Sequence, residues 1–246
     1  MPEVTIVTES KINIQELDFV LMKENCKILI VGKRGSGKTT IIKELLKHFK
    51  KQYPCIVSTN VSDIRDEYND IIPKKFIYND ENKIIEKIIN RQIFAISKKI
   101  RNPCLCVAFD CTISKQNQKN AQFLEIMYNG RHYYLNAIFT VQTSREFSPD
   151  VRANMDYIFL LGDDDEKNVR SMYDTYGKIF PTFDMFHQVF KQLTQNFGVM
   201  VICNWKDEIY LEQSKNEMLE IKQKVFHFKA SGNKIDDYEI EYWQDD

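Results

Sequence analysis

An α/β fold with a mainly parallel central sheet and helices on both faces is what this sequence predicts, and three features predict it. Short apolar, β-branched runs alternate with segments of helical period from Lys27 to Cys203, the order that lays helices over a parallel sheet. Cys104-Leu105-Cys106-Val107-Ala108-Phe109 is apolar without a break, which suits a strand covered on both sides. Lys27-Ile28-Leu29-Ile30-Val31 runs straight through a glycine-rich turn into an amphipathic helix.

Taken in order, residues 1–26 form an N-terminal extension in which Leu17 to Met22 packs on the first core strand. The core domain spans 27–206. Thr40 to Phe49 carries apolar residues at helical spacing, and Pro54 to Ser58 reads as a second strand. Asp63 to Asn69 is polar, a helix or a loop, and Phe76-Ile77-Tyr78 is a short strand. Glu81 to Lys99 places Ile84, Ile85, Ile88, Ile89, Ile93 and Ile96 near a 3.6 period, and Asn102-Pro103 ends that helix. The unbroken apolar strand closes at Asp110. A polar loop, Ser114 to Asn120, leads to a helix over Ala121–Asn129 and a strand over Leu135–Val141 ending at Gln142. Tyr157–Leu161 is the next strand, followed by helices near 164–176 and 183–194 and a strand at Val199–Cys203. Residues 207–246 form a C-terminal extension. Its one apolar cluster, Val225 to Phe228, reads as an edge strand or a subunit contact, and its acidic end, Asp236 to Asp246, as mobile.

The chemistry centres on Gly32-Lys33-Arg34-Gly35-Ser36-Gly37-Lys38-Thr39, which matches G-x-x-x-x-G-K-[ST] without a gap. Strand, glycine turn and helix are the context this phosphate-binding loop requires. The glycines let backbone N–H groups converge on phosphate oxygens, and the helix N-terminus adds positive charge there. Lys38 is expected to neutralise the β- and γ-phosphates and Thr39 to ligate Mg²⁺, with the binding set running on to Thr40. The fold is therefore expected to be that of a P-loop NTPase. Asp110, about seventy residues downstream, closes a buried strand and is expected to hold Mg²⁺ opposite Thr39. Gln142 ends the neighbouring strand, where strand C-termini converge on a ligand, and suits a water-orienting or γ-phosphate-sensing role. Arg131, Arg145 and Arg152 follow the core strands. A guanidinium reaching a neighbouring subunit's phosphate is one reading of them, and a surface ion pair the other. Lys115 to Asn120 is either a solvated loop or a pore-facing one that an oligomer repeats.

Composition bounds the alternatives. The chain has 246 residues, 43% hydrophobic and 28% charged, with a net charge of −1, so any nucleic-acid contact comes from a local patch rather than from overall basicity. No apolar run reaches the length of a membrane span, and the first residues lack a signal-peptide pattern. Six cysteines without C-x-x-C and four scattered histidines favour buried reduced thiols over a metal site, from which an intracellular setting is expected. A guanine-specific Asn-Lys-x-Asp motif is not evident: Asn204-Trp205-Lys206-Asp207 has Trp where Lys belongs. The arginine-rich lid of a nucleoside kinase is not evident either.

Asn129-Gly130-Arg131-His132-Tyr133, then Gln142, then Arg152-Ala153-Asn154-Met155-Asp156-Tyr157 resembles the poxvirus-type genome-packaging ATPases of large DNA viruses and virophages, within the FtsK/HerA superfamily. The resemblance covers roughly Lys27 to Lys206. It implies ATP and Mg²⁺ as ligands, a homo-oligomeric ring, double-stranded DNA as the translocated substrate, and a capsid or portal-like partner. It further implies work in the host cytoplasm, at viral factories, and in the virion. Lys38, Thr39, Asp110 and Gln142 match the family's phosphate-loop, Walker B and sensor positions, and Arg152 then Arg131 are the candidates for an arginine acting in trans. One departure stands out. The family carries two adjacent acids at the end of the Walker B strand, and here Asp110 is followed by Cys111. A helicase-like motor and a nucleotide-dependent scaffold with little turnover are the competing functions.

Overall fold

The computed structural model describes residues 14–59, 66–79, 81–111, 113, 116–204 and 224–230. Its strands are β1 (Ile14–Glu16), β2 (Lys27–Val31), β3 (Cys55–Thr59), β4 (Ile77–Tyr78), β5 (Leu105–Asp110), β6 (Leu135–Val141), β7 (Tyr157–Leu161), β8 (Gly198–Cys203) and β9 (Lys224–Lys229). They form one sheet in the order β1-β9-β8-β7-β2-β6-β5-β3-β4. The helices are α1 (Lys38–Phe49), α2 (Glu81–Ser97), α3 (Ala121–Asn129), α4 (Pro149–Arg152), α5 (Glu166–Tyr176) and α6 (Phe183–Leu193).

The expected α/β architecture is present, and its core explains the unbroken apolar strands. Side chains of a strand point alternately to its two faces. Ile28 and Ile30 of β2 join a cluster with Ile41, Ile42, Leu45, Leu46 and Phe49 of α1. Leu29 and Val31 point the other way, into a cluster with residues of α2, α3, α5 and α6. Both faces are dry, so every residue of β2, β5, β6 and β7 is buried.

The sheet departs from the expected parallel pattern at β8, which runs antiparallel to both β7 and β9. A single crossover helix carries the chain to the far end of a sheet and gives a parallel pair. Two helices, α5 and α6, intervene here and return the chain to the end where β7 stopped, so that Leu161 pairs with Val199. Val225 to Phe228 is a strand, as one of its two readings held, but it does not lie at an edge. It is flanked by β8 on one side and by parallel β1 on the other. The short strand begins at Ile77, because Lys74–Phe76 makes a 3₁₀ turn. The acidic end and Lys115 lie outside the described residues.

Candidate nucleotide site

All strands that carry predicted chemistry end on one side of the sheet, around the loop after β2. The N–H of Gly32 donates to the carbonyl of Val141 at 3.1 Å, fastening the loop's start to the end of β6. A Cβ at Gly32 would lie 2.4 Å from Ser36 Oγ and 3.0 Å from Leu161 Cβ, so no side chain fits. Gly35 and Gly37 have φ of 78° and 96°, the left-handed region that glycine enters without cost. Gly37 caps α1 and brings no side chain to that cap. Ile41 is bonded to the Gly37 carbonyl, which leaves the first N–H groups of the helix facing out, as an anion site requires.

Lys38 is buried and bends back over the loop. Its ammonium donates to the carbonyls of Gly32 at 2.7 Å and Lys33 at 2.9 Å. Ser36 Oγ is buried without a hydrogen-bond partner. A buried hydroxyl left unpaired is costly, and a phosphate oxygen in the loop would satisfy it. Both observations fit a polyphosphate. Lys33 turns outward, 3.1 Å from Asp164 and 3.7 Å from Asp163, tying the loop to the segment after β7. These carboxylates raise the Lys33 pKa. Arg34 and Thr40 are exposed.

Asp110 is 1% exposed, and three hydroxyls donate to its carboxylate. Thr39 Oγ1 reaches Oδ2 at 3.3 Å, the Tyr68 phenol reaches Oδ2 at 2.9 Å, and Thr140 Oγ1 reaches Oδ1 at 2.9 Å. No basic side chain among the described residues forms an ion pair with it. A buried carboxylate held by neutral donors, with a threonine hydroxyl beside it, is a hard-oxygen seat suited to Mg²⁺. Burial, followed by the charge of Asp110, pushes the Tyr68 pKa well above its ordinary value, so the phenol keeps its proton and stays a donor. Tyr68 fell in the stretch read only as helix or loop, and it is a site residue that the sequence did not reveal.

Cys111 takes left-handed backbone, φ 55°. Its N–H donates to Thr140 Oγ1 at 2.7 Å, and its sulfur lies 3.2 Å from the same oxygen. Thr140 spends its single proton on Asp110, so the thiol donates to Thr140. Desolvation of the sulfur raises its pKa, and at neutral pH the group is a protonated thiol, unable to act as a base.

Gln142 is exposed at the end of β6, next to the residue that anchors Gly32. Its N–H donates to Glu146 Oε2 at 2.9 Å. Phe147, 1% exposed and packed on Phe139, pins this turn. Glu146 thereby brings a second carboxylate to the same end of the sheet, which the sequence did not mark. Gln118 braces the turn too, donating to the Glu146 carbonyl and accepting from the Ser148 N–H. The loop before α3 is therefore partly tethered rather than wholly solvated.

The three arginines each have another partner. Arg131 pairs with Asp156, which also accepts from the Lys27 N–H at 2.9 Å. That pair sits where β2 and β7 begin, at the opposite end of the sheet from Lys38. Arg152 is half-buried and donates to the Phe147 carbonyl at 2.7 Å. Arg145 is exposed, 3.7 Å from Asp174. The structure thus gathers the 32–40 loop, Asp110 and Gln142 at one end and leaves Arg131 at the other.

Comparison with known proteins gives the fold and the family. Crystallographic B204, the DNA-packaging ATPase of Sulfolobus turreted icosahedral virus, superposes with a TM-score of 0.57 at 17% identity, covering 73% of this chain and 93% of that one. The packaging NTPase B204 of Sulfolobus turreted icosahedral virus 2, in complex with AMPPCP, gives 0.55 at 15% identity over 72% of this chain and 91% of that one. At such identities the likeness establishes the fold. In sequence, protein L437 of Acanthamoeba polyphaga mimivirus is 33% identical over 238 residues, 92% of this chain and 80% of that protein. Protein 075L of invertebrate iridescent virus 6 is 31% identical over 196 residues, 75% of each. The family described as Poxvirus A32 protein matches residues 16–192, and this chain belongs to that family.

Proposed function

We propose that this protein hydrolyses ATP to drive viral double-stranded DNA into capsids, working as a homo-oligomer. The observation that carries the reading is the convergence of the 32–40 loop, Asp110 and Gln142 at one end of the sheet. Membership of the Poxvirus A32 family and relatives in other large DNA viruses support it. So does the description of B204, a structural neighbour, as a DNA-packaging ATPase.

In this reading the N–H groups at the start of α1 and the Ser36 hydroxyl hold the phosphate chain. Lys38 leaves its two carbonyls and offsets charge on the β- and γ-phosphates, which grows as the bond breaks. Thr39 and Asp110 would hold Mg²⁺, which would supply further positive charge to the phosphate chain. Gln142 orients the attacking water from the neighbouring strand. Arg152 is the candidate to reach a neighbouring subunit's γ-phosphate, and capsid and portal-like components are the expected partners. The expected setting is the host cytoplasm, at viral factories, and the virion.

One observation favours a second reading. Cys111 supplies a protonated thiol where related motors hold an acid, and this suits a nucleotide-dependent scaffold with little turnover. Phosphate release with and without double-stranded DNA, on protein sized by light scattering, separates the two. DNA-stimulated release from an oligomer supports the motor. Nucleotide-dependent assembly with no release supports the scaffold, and phosphoryl transfer to a nucleoside without response to DNA refutes both.

A further inference from the structure

We propose that Phe197 is the platform on which the purine base of the nucleotide stacks. The inference rests on the nucleotide-binding reading above and adds where the base lies and what holds it.

Phe197 is 79% exposed, the most exposed of the large apolar side chains described. It closes the turn Gln195–Phe197 between α6 and β8. Asn196 and Phe197 both have left-handed backbone, φ 51° and 61°. A bulky residue takes that conformation only where its surroundings impose it. The next residue, Gly198, is tightly enclosed: a Cβ there would lie 2.1 Å from the Leu193 carbonyl oxygen, 2.8 Å from His227 Nε2 and 3.0 Å from the Gln195 carbonyl oxygen. The turn is clamped, and it presents an aromatic ring to solvent instead of burying it.

The turn adjoins the phosphate loop. A Cβ on Gly32 would touch Leu161, and a Cβ on the following Gly162 would lie 3.4 Å from Thr194 Cβ. Lys33 is tied to Asp163 and Asp164 in that same segment. The strand order supplies the direction. The loop follows β2, and Asp110 ends β5, two strands to one side. Phe197 precedes β8, two strands to the other side. A nucleotide whose terminal phosphate points to Asp110 must run its ribose and base the opposite way, towards Phe197. Two strand spacings are about 10 Å, the gap that the α-phosphate and sugar bridge. An exposed aromatic face at that distance is suited to a flat base, and loss of such stacking typically weakens binding by about 5- to 150-fold.

The test is calorimetric binding of ATP and of inorganic tripolyphosphate, each with Mg²⁺, to the full chain and to Phe197→Ala, Phe197→Leu and Phe197→Tyr. The expected result is ATP binding weakened about 5- to 150-fold in the Ala and Leu variants, retained in the Tyr variant, with tripolyphosphate affinity unchanged throughout. ATP affinity unchanged in both the Ala and Leu variants overturns the assignment and leaves the ring as a contact for DNA or a protein partner. Equal weakening of ATP and tripolyphosphate overturns it too, since the residue would then only support the loop's shape. Failure of the unaltered chain to bind tripolyphosphate would instead refute the phosphate site on which the proposal rests.

Discussion

Arg131 is where a structural role and a catalytic role predict opposite results. Asp156 is 2% exposed, and its two oxygens accept from the Lys27 N–H and from Arg131. Arg131→Met keeps most of the stem and removes the charge, leaving the carboxylate with one donor and with the Lys27 ammonium nearby. A hydrogen bond to a charged group contributes about 1.5–3 kcal/mol. The Arg131 side chain is 48% exposed, so solvent screening brings the expected loss to about 1–2 kcal/mol. For a chain of this size that corresponds to a melting temperature lower by about 2–8 °C. Thermal unfolding followed by circular dichroism measures it, and ATP turnover below the transition gives the second readout. The expected outcome is a lower melting point with turnover per folded protein intact. An unchanged melting point with DNA-stimulated turnover abolished would refute this reasoning and place the guanidinium at a neighbour's phosphate.

Three further outcomes are expected. Lys38→Ala removes the ammonium folded over the loop and should abolish ATP turnover while the melting curve is preserved; unchanged turnover would take the loop out of the mechanism. Tyr68→Phe deletes one of three donors to Asp110, and supporting groups of this kind are typically worth about 10–100-fold in metal affinity. Mn²⁺ titration of the nucleotide-bound protein, followed by paramagnetic resonance, should show a loss in that range, and an unchanged curve would argue against a positioning role. Cys111→Asp should raise basal phosphate release at least about tenfold, given that a positioned base contributes ~10²–10⁴. It should do so better than Cys111→Glu, because Asp tolerates the left-handed backbone that this position adopts. If both variants bind ATP and neither gains turnover, the position does not face the attacking water.

The sequence disclosed whatever is local. The glycine loop, α3, β6 and β7 lie where periodicity and turn chemistry placed them, because each is decided within about ten residues. Asp110 and Gln142 were legible for the same reason: each closes an apolar run, and the ends of parallel strands meet. Tyr68 and Thr140 were not, since a phenol in a polar stretch and a threonine inside a strand acquire meaning only when packing brings them to one carboxylate. The direction of β8 was equally hidden. It depends on how α5 and α6 fold back together, which no single segment encodes. Arg131 and Asp156 were noticed as parts of a motif, but spacing alone does not reveal that they meet each other at the far end of the sheet.

The position of β9 carries a consequence for how the chain is made. Among the described residues, β1 pairs with β9 alone, and β9 joins the rest of the sheet through β8. Ile14, among the first described residues to leave the ribosome, therefore waits for Val225, among the last, before it has a partner. The phosphate loop, Asp110 and Gln142 are carried by β2, β5 and β6, none of which pairs with β8 or β9, so their pairing can precede the last strands. Loop-closure entropy makes so distant a pairing the slowest to form, and with few neighbours it is the natural place for opening to begin. A nascent or clipped chain that lacks 224–229 would leave the edge of β8 bare, offering its unpaired backbone to the β9 segment of another copy.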